Sequence, residues 1–333
     1  MKRVATICVL TVLLPTALSV MSGCSTHRYE PTLQAEAFTR PTGEIKAFSY
    51  EKSPYKVKWK FMGEGETWAA YEVRFKVKDF ENLRKKALKT YYYVQKDRTK
   101  DHPVLIIMPP TGGGYELSLS FAKHFADRGF HCLAMTRRER FFNPDNELAY
   151  NRTLFRQTVI DIRRAVDWLE GQPLVDRERI SILGISLGSI MSQLAMAADD
   201  RIRAGALLLG AMDLPEVLDT SGYIVVKRLR KVAMERHGVD REGLAELAQQ
   251  AFGDVDPKTY ADRIDPADVM MVSGRYDNII KYSVSLKTWE TLGRPEFLVV
   301  PSGHYSAALY KRYALKRIYR FLTGRLGVPV ESP

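Results

Sequence analysis

Cysteine is scarce in this sequence, which has three among 333 residues. Cys8 and Cys24 lie near the N-terminus, so Cys132 is alone in the rest of the chain and no disulfide can form there. The surrounding stretch GFHCLAMT is rich in strand-forming residues, which predicts a buried, unreactive thiol. Histidine, cysteine and glutamate do not cluster with the spacing of metal ligands, so we expect no metal. We find no internal repeat and no low-complexity tract.

The one long apolar run, residues 4–20, is too short and too closely followed by small residues to predict a membrane-spanning helix. It follows Lys2 and Arg3, and this pattern is typical of an export signal. We therefore expect residues 1–23 to be a signal peptide.

The end of this signal, MSGC over residues 21–24, resembles the lipobox of bacterial lipoproteins. The resemblance implies that Cys24 is acylated, with palmitate among its acyl chains, and becomes the first mature residue, anchored to the membrane through this lipid. Ser25, where inner-membrane retention usually shows aspartate, favours the outer membrane facing the periplasm. The alternative is a simple secretory signal that is cleaved nearby.

Acidic residues are outnumbered by basic ones, with a formal net charge of +11. The densest basic runs, residues 136–140 and 227–231, lack the context of any nucleic-acid recognition motif. We expect no nucleic-acid partner, and interpret the charge as a solvated face or as attraction to an anionic membrane surface.

The remaining chain divides into three parts. Residues 24–44 are poor in aliphatic side chains and predict a tether. Three segments with strand character follow up to residue 95, which predicts an antiparallel meander. After residue 101, short apolar runs alternate with amphipathic stretches, which predicts a mostly parallel, doubly wound α/β sheet. The expected strands are 103–109, 130–135, 179–185, 204–210, 268–274 and 296–301, and the expected helices are 115–128, 148–170, 187–198, 279–292 and 305–321.

Residues 214–264 interrupt this alternation with about fifty residues of helical pattern. An insertion of this size after a strand end predicts a small helical lid over the site. The alternative is that the insertion packs on the side of the domain, far from the site. Residues 324–333 form a C-terminal tail.

A serine between two glycines, Gly184-Ile185-Ser186-Leu187-Gly188, stands where an apolar strand is followed by an amphipathic helix. A serine at so sharp a turn projects from the sheet, and side chains two positions away would collide with the neighbouring strand and helix. The helix that begins at Leu187 directs free N–H groups at the serine oxygen. This pattern predicts a nucleophile elbow.

A serine nucleophile needs a base, and the base needs an acid. His304 follows the last expected strand and Asp277 follows the one before it, so both are expected at the carboxyl edge of the sheet with Ser186. Asp213 also follows a strand and is the alternative acid. The other histidines lie in the tether, at strand beginnings, within a helix or in the lid: His27, His102, His131, His124 and His237.

The loop MPPTGGGYE after residue 107 predicts an oxyanion hole. Pro110 has no N–H, so the donor is Thr111, Gly112 or Gly113, together with the N–H of Leu187. The loop lacks the Gly-Lys-Ser or Gly-Lys-Thr ending of a phosphate-binding loop.

The order Ser186, Asp277, His304, with the elbow, resembles the α/β-hydrolase superfamily of esterases, lipases and dienelactone hydrolases over residues 45–323. The resemblance implies two-step acyl transfer without a metal or organic cofactor. We expect a carboxylic ester hydrolase acting on a small-molecule acyl substrate.

Two alternatives remain open. One is a non-catalytic cell-envelope binding protein on a hydrolase fold. The other is a prolyl-oligopeptidase-like peptidase, ranked lower because no propeller precedes the domain. The basic run 136–140 either binds an anionic substrate or lies in a solvated loop, and its arginines are Arg137, Arg138 and Arg140. No feature of the sequence indicates an oligomeric state.

Overall fold

A large mixed sheet lies between two layers of helices in the computed structural model, which describes residues 26–29, 38–52, 55–77, 87–112 and 114–329. The predicted signal peptide, Cys24, Gly113 and residues 330–333 lie outside these ranges. The strands are β1 (His27–Tyr29), β2 (Lys56–Glu64), β3 (Trp68–Lys76), β4 (Ala87–Gln95), β5 (His102–Met108), β6 (His131–Met135), β7 (Val175–Ile185), β8 (Ile202–Leu208), β9 (Val269–Gly274) and β10 (Glu296–Val300).

The α-helices are α1 (Glu116–Ala126), α2 (Leu148–Glu170), α3 (Leu187–Ala198), α4 (Leu214–Thr220), α5 (Ile224–His237), α6 (Arg241–Phe252), α7 (Tyr282–Thr291) and α8 (Lys311–Arg325). Short 3₁₀ segments lie at Lys46–Phe48, Pro257–Arg263, Pro266–Asp268 and Ser306–Tyr310.

The strands of the described residues follow the order β1-β10-β9-β8-β7-β5-β6-β4-β3-β2. The strands from β5 to β10 pair in parallel, while β2, β3 and β4 form an antiparallel meander that joins the parallel part through β6. This is the predicted fold class, a mostly parallel doubly wound sheet with an antiparallel N-terminal part. The carboxyl ends of the parallel strands therefore meet at one edge of the sheet, as parallel pairing requires.

Two apolar layers explain why the central strands have no polar face. One face of the sheet packs on α2, α3 and the inserted helices, and the other packs on α1 and α8. All seven residues of β5 are buried. Buried on both faces, such strands carry continuous apolar runs instead of alternation, and this is the pattern from which they were predicted.

The insertion after β8 consists of α4, α5, α6 and a 3₁₀ segment. Ion pairs attach it to the rest of the chain: Arg152 of α2 binds Asp254 through two N–H···O bonds of 2.7 and 2.5 Å, and Lys287 of α7 lies 2.6 Å from Glu216. The insertion therefore has fixed attachments at both ends.

Where the structure describes the segment predicted as a tether, residues 24–44, two parts of it contact the rest of the fold. His27–Tyr29 adds strand β1 antiparallel to β10, with Tyr29 stacked on Phe297. Arg40 donates hydrogen bonds of 2.8 and 2.7 Å to the carbonyls of Met196 and Ala197.

The last helix also begins later than predicted. Residues 306–310 form a 3₁₀ turn, and α8 starts at Lys311. Within the described ranges no helix combines the length and apolar character needed to cross a membrane.

Candidate active site

Ser186 stands at the turn between β7 and α3 in a strained backbone conformation, with φ 55° and ψ −117°. A non-glycine residue with positive φ is costly and persists only where its surroundings hold it in place. Here its N–H donates a 2.7 Å hydrogen bond to the carbonyl of Leu208 on the neighbouring strand. The side chain is nearly buried, and its hydroxyl reaches the carboxyl edge of the sheet.

The two flanking glycines are required by contacts between backbones. A Cβ on Gly184 would lie 2.3 Å from the carbonyl oxygen of Gly188, and a Cβ on Gly188 would lie 2.3 Å from that of Met108. No side chain could move to relieve either contact. These are the collisions with strand and helix that the Gly-x-Ser-x-Gly spacing predicts.

The structure brings Ser186, His304 and Asp277 together. His304 Nε2 lies 3.0 Å from Ser186 Oγ, and His304 Nδ1 lies 2.6 Å from Asp277 Oδ2. The Asp277 side chain is fully buried and that of His304 is 9% exposed. The three side chains thus form one hydrogen-bonded chain, shielded from solvent at its acidic end.

The partners of Asp277 define the protonation of the histidine. Oδ1 accepts hydrogen bonds from the backbone N–H groups of Ile279 (2.8 Å) and Ile280 (3.0 Å), so Oδ2 is left to accept from His304. A carboxylate can only accept, so the proton of the neutral imidazole lies on Nδ1 and Nε2 is free to accept the hydroxyl hydrogen. This tautomer is the one in which the imidazole can act as a base.

The alternative acid, Asp213, has other partners. Its carboxylate caps α4 by accepting from the N–H of Glu216 (3.0 Å) and pairs with Lys258 Nζ at 2.7 Å. A helix cap satisfies N–H groups that have no partner within the helix. Asp213 therefore has a structural role at the start of the insertion.

Two of the other histidines contact each other. His102 and His131 are buried at the amino ends of their strands, with ring centroids 5.3 Å apart. Burial, together with the neighbouring His102, lowers the pKa of His131 to about 4. Cys132 is fully buried as predicted, and burial raises the pKa of its thiol.

The loop after β5 faces Ser186 across the site. Pro110, Thr111 and Gly112 line the same cavity as the serine, while Gly113 lies outside the described residues. Leu187 is the first residue of α3, where the N–H groups have no partner within the helix. The candidates Leu187, Thr111 and Gly112 therefore line one cavity together with Ser186.

The three arginines of the run 136–140 have different surroundings. Arg138 is buried, with Nε 2.6 Å from the Asp161 carboxylate, which contradicts both the anion-binding and the solvated interpretation for this residue. Arg137 donates to the carbonyl of Pro110 and stacks over the ring of Tyr115. Arg137 thus supports the loop that faces Ser186, and only Arg140 is exposed.

A cavity of about 610 Å³ opens at the site and is lined mainly by apolar side chains. Its walls include Phe121 of α1, Val272 of β9 and Ala314 of α8. They also include Phe142 and, from the insertion, Val226. Cavities of this size typically bind small organic ligands.

Sequence reasoning missed Tyr223, a cavity residue at the start of α5. Its hydroxyl lies 3.2 Å from where a Cβ on Gly112 would be, so it borders the loop opposite Ser186. The apolar stretch GYIVV, residues 222–226, is the sequence feature that points to this residue, but the position of Tyr223 opposite Gly112 depends on tertiary packing.

No group of three or more His, Cys, Asp or Glu side chains in the described part of the chain is arranged to hold a metal ion.

Comparison with known proteins identifies the fold. The chain is similar to an acetyl xylan esterase from Paenibacillus sp. R4 at 16% identity and TM-score 0.65, covering 82% of this chain and 89% of that one. It is similar to an alpha/beta hydrolase from Penicillium sp. sh18 at 18% identity and TM-score 0.54, covering 78% and 99%. It is also similar to the Pyrococcus horikoshii acylaminoacyl peptidase at 20% identity and TM-score 0.55, covering 77% of this chain and 41% of the peptidase. The chain therefore has the α/β-hydrolase fold.

No curated protein sequence matches the chain significantly. The model of the prolyl oligopeptidase family matches residues 117–328, which is more than half of the sequence and includes Ser186, Asp277 and His304. The chain belongs to the prolyl oligopeptidase family.

Proposed function

We propose that the protein is a serine hydrolase that cleaves carboxylic esters through an acyl-enzyme. The observation that supports this most directly is the hydrogen-bonded chain from Asp277 through His304 to Ser186 at the mouth of an apolar cavity. Each member of this chain has the partner that its role requires.

In the first step, Ser186 Oγ attacks the ester carbonyl carbon while its proton passes to Nε2 of His304. The carbonyl oxygen becomes an oxyanion, which accepts hydrogen bonds from the N–H of Leu187 and from the 111–113 loop. The bond from carbon to the alkoxy oxygen then breaks, and His304 returns the proton to the departing alcohol.

In the second step, a water molecule replaces the alcohol. It gives a proton to His304 as its oxygen attacks the acyl carbon, and the bond to Ser186 Oγ breaks as that oxygen recovers the proton. The products are a carboxylic acid and the free serine. Asp277 holds the Nδ1 tautomer and stabilises the imidazolium in both steps.

The cavity walls favour an ester with an apolar acyl group. A bound peptide would bring backbone N–H and C=O groups into the cavity, and each unpartnered one would lose free energy on leaving water. Side chains such as Phe121, Val226 and Val272 offer no such partners. A carboxylic ester has a single carbonyl to satisfy, and the oxyanion donors satisfy it.

Peptide-bond cleavage is the second candidate, because the chain belongs to the prolyl oligopeptidase family. The similarity to an acylaminoacyl peptidase suggests an N-acylated peptide as the substrate to test. Amide and ester hydrolysis would use the same three side chains, so the choice depends on the cavity.

The experiment compares wild-type protein with Ser186→Ala. We expect a fluorophosphonate probe to label the wild type alone, and p-nitrophenyl esters to be turned over faster than an N-acyl peptide p-nitroanilide. Absence of labelling and of turnover above the Ser186→Ala level would support the non-catalytic binding protein instead. Faster hydrolysis of the anilide would support the peptidase.

We also propose that the protein is exported and anchored through lipid on Cys24 to the outer membrane, facing the periplasm. The support is the resemblance of MSGC to a lipobox, in residues outside the described structure. Mass spectrometry of the mature N-terminus tests this, with Cys24→Ala expected to move the protein from the membrane fraction to the soluble fraction.

A further inference from the structure

Four large apolar side chains are exposed on segments that also contribute residues to the cavity wall: Ile224, Tyr276, Tyr305 and Leu309. Their exposed fractions lie between 68% and 85%. We call them the apolar rim. Large apolar side chains that cluster on a surface typically mark a site of contact with another phase or molecule.

Backbone hydrogen bonds join the three segments that carry the rim residues. The N–H of Gly222 donates a 2.9 Å bond to the carbonyl of Asn278, which joins the start of α5 to the loop after β9. The N–H of Tyr276 donates a 2.9 Å bond to the carbonyl of Ser302, which joins that loop to the one containing His304. The three segments are therefore held together beside Ser186 and His304.

The segments that carry the rim are positively charged, whereas the exposed carboxylate of Glu116 lines the cavity from the start of α1. Residues 222–234 and 302–330 contain no aspartate or glutamate, and the loop between Tyr276 and α7 contains only Asp277, which is buried. The exposed cations on these segments are Lys227, Arg228, Lys231, Lys281, Arg312, Lys316, Arg320 and Arg325, and the exposed Arg275 directly precedes Tyr276. An apolar patch within a field of cations is complementary to an anionic lipid surface, where acyl chains lie beneath negative headgroups.

The direction of β1 gives an independent observation. β1 runs antiparallel to β10, with His27 paired to Val299 and Tyr29 to Phe297. His27 therefore lies at the carboxyl end of β10, which is the edge of the sheet where Ser186 and His304 meet. Cys24 precedes His27 by three residues, so a lipid on it would be held within about 10 Å of this edge.

We infer that the apolar rim docks the cavity mouth on an anionic membrane, and that the substrate class is an acyl ester that resides in the lipid phase. This rests on the proposed function. The acyl chain passes from the bilayer between the rim side chains into the apolar cavity, so it crosses little water on its way to Ser186. The rim cations pair with lipid phosphates at the same time.

The test compares three full-length proteins that share one N-terminus: wild type, Ile224→Ser/Leu309→Ser, and the matched control Phe61→Ser/Met62→Ser. The control removes exposed apolar side chains from β2, at the opposite end of the sheet. Neither altered rim residue lines the cavity. The substrates are soluble p-nitrophenyl butyrate and a fluorogenic long-chain ester carried in phosphatidylcholine vesicles with or without phosphatidylglycerol.

We expect the rim variant to lose about tenfold in turnover of the vesicle-borne ester, since it loses two apolar contacts with the bilayer. The rim variant should hydrolyse the soluble ester at the wild-type rate. The control variant should hydrolyse both esters at the wild-type rates. Phosphatidylglycerol should raise the wild-type vesicle rate, and added salt should reverse that gain. The inference would be overturned if all three proteins hydrolysed the vesicle-borne ester at equal rates. It would also be overturned if the rim substitutions changed only the self-association of the protein.

The two proposals fail in different ways. If the wild type hydrolyses neither ester, the proposed function fails, and sedimentation with the same vesicles still tests docking without turnover. If the soluble ester is hydrolysed but the rim variant keeps its vesicle rate and its sedimentation, only the docking inference fails.

Discussion

Replacing Asp277 with asparagine should abolish most of the activity without disturbing the shape of the site. Oδ1 of Asp277 accepts two backbone N–H groups, those of Ile279 and Ile280. An asparagine must keep its carbonyl oxygen at that position, because an NH₂ group there would face two donors. Its NH₂ group is then directed at Nδ1 of His304.

This orientation reverses the tautomer of the histidine. Nδ1 must now accept a hydrogen from the introduced amide, so the imidazole proton moves to Nε2, which points at Ser186 Oγ at 3.0 Å. Nε2 can no longer accept the hydroxyl proton. A serine hydrolase in this state loses about 10⁴-fold in kcat, as the corresponding aspartate-to-asparagine change does in trypsin-like proteases, which is about 5 kcal/mol of transition-state stabilisation.

The assay is the steady-state hydrolysis of p-nitrophenyl butyrate, with Asp213→Asn as the matched control. Asp213 is the alternative acid, and asparagine at that position can still cap α4. We expect kcat to collapse in Asp277→Asn and to stay within about twofold of the wild type in the control. Retention of more than about a tenth of the wild-type kcat by Asp277→Asn, or an equal loss in Asp213→Asn, would refute the assigned roles.

Three further predictions concern stability and specificity. Gly188→Ala should lower the free energy of unfolding, measured in urea, by about 1–3 kcal/mol, because the added Cβ collides with the backbone. Gly324→Ala has open space around it and should raise that free energy by up to about 1 kcal/mol, because alanine favours the helix. Ala314→Leu should narrow the cavity beside α8, so kcat/KM for an octanoyl ester should fall by about tenfold relative to the acetyl ester. A constant ratio would count against this wall as part of the acyl site. In the folded protein His131 stays neutral down to its lowered pKa of about 4, whereas in the unfolded chain it takes up a proton near pH 6.5. The free energy of unfolding should therefore decline by up to about 3 kcal/mol as the pH falls from 6.5 to 4. His131→Gln should flatten this decline of the unfolding free energy with pH in urea melts, and a decline equal to that of the wild type would contradict the assignment.

The sequence was sufficient to predict the fold class and nearly every central strand. Buried parallel strands such as β5 and β9 are continuous apolar runs between turn residues, which is a local signal that does not depend on tertiary context. The elbow around Ser186 could be predicted for a similar reason. Its two glycines are required by backbone contacts within a few residues of the chain and with one adjacent strand.

Strand β1 was missed because nothing in His27–Tyr29 alternates or repeats. Three residues can form a strand there because Tyr29 stacks on Phe297 and packs against Trp289, which are distant in sequence. Arg138 was misinterpreted for the same reason, since its carboxylate partner Asp161 belongs to another element. Such contacts are set by packing, which a single sequence does not display.

The family assignment rests on the hydrolase domain itself, since the family model matches residues 117–328. Members of this family share a fold and a nucleophile turn, while the loops around the cavity decide what is bound.

The contact of Gly188 with the backbone of Met108 has a consequence for how this scaffold diversifies. Because two main chains touch there, the spacing between Ser186 and the loop that begins at Pro109 is independent of side-chain identity. Substitutions in the cavity wall, at Ala314 or Val226 for example, can change which molecule fits while the reacting atoms keep their positions. New substrates are thus accessible to descendants of this chain by small steps, none of which requires the chemistry to be rebuilt.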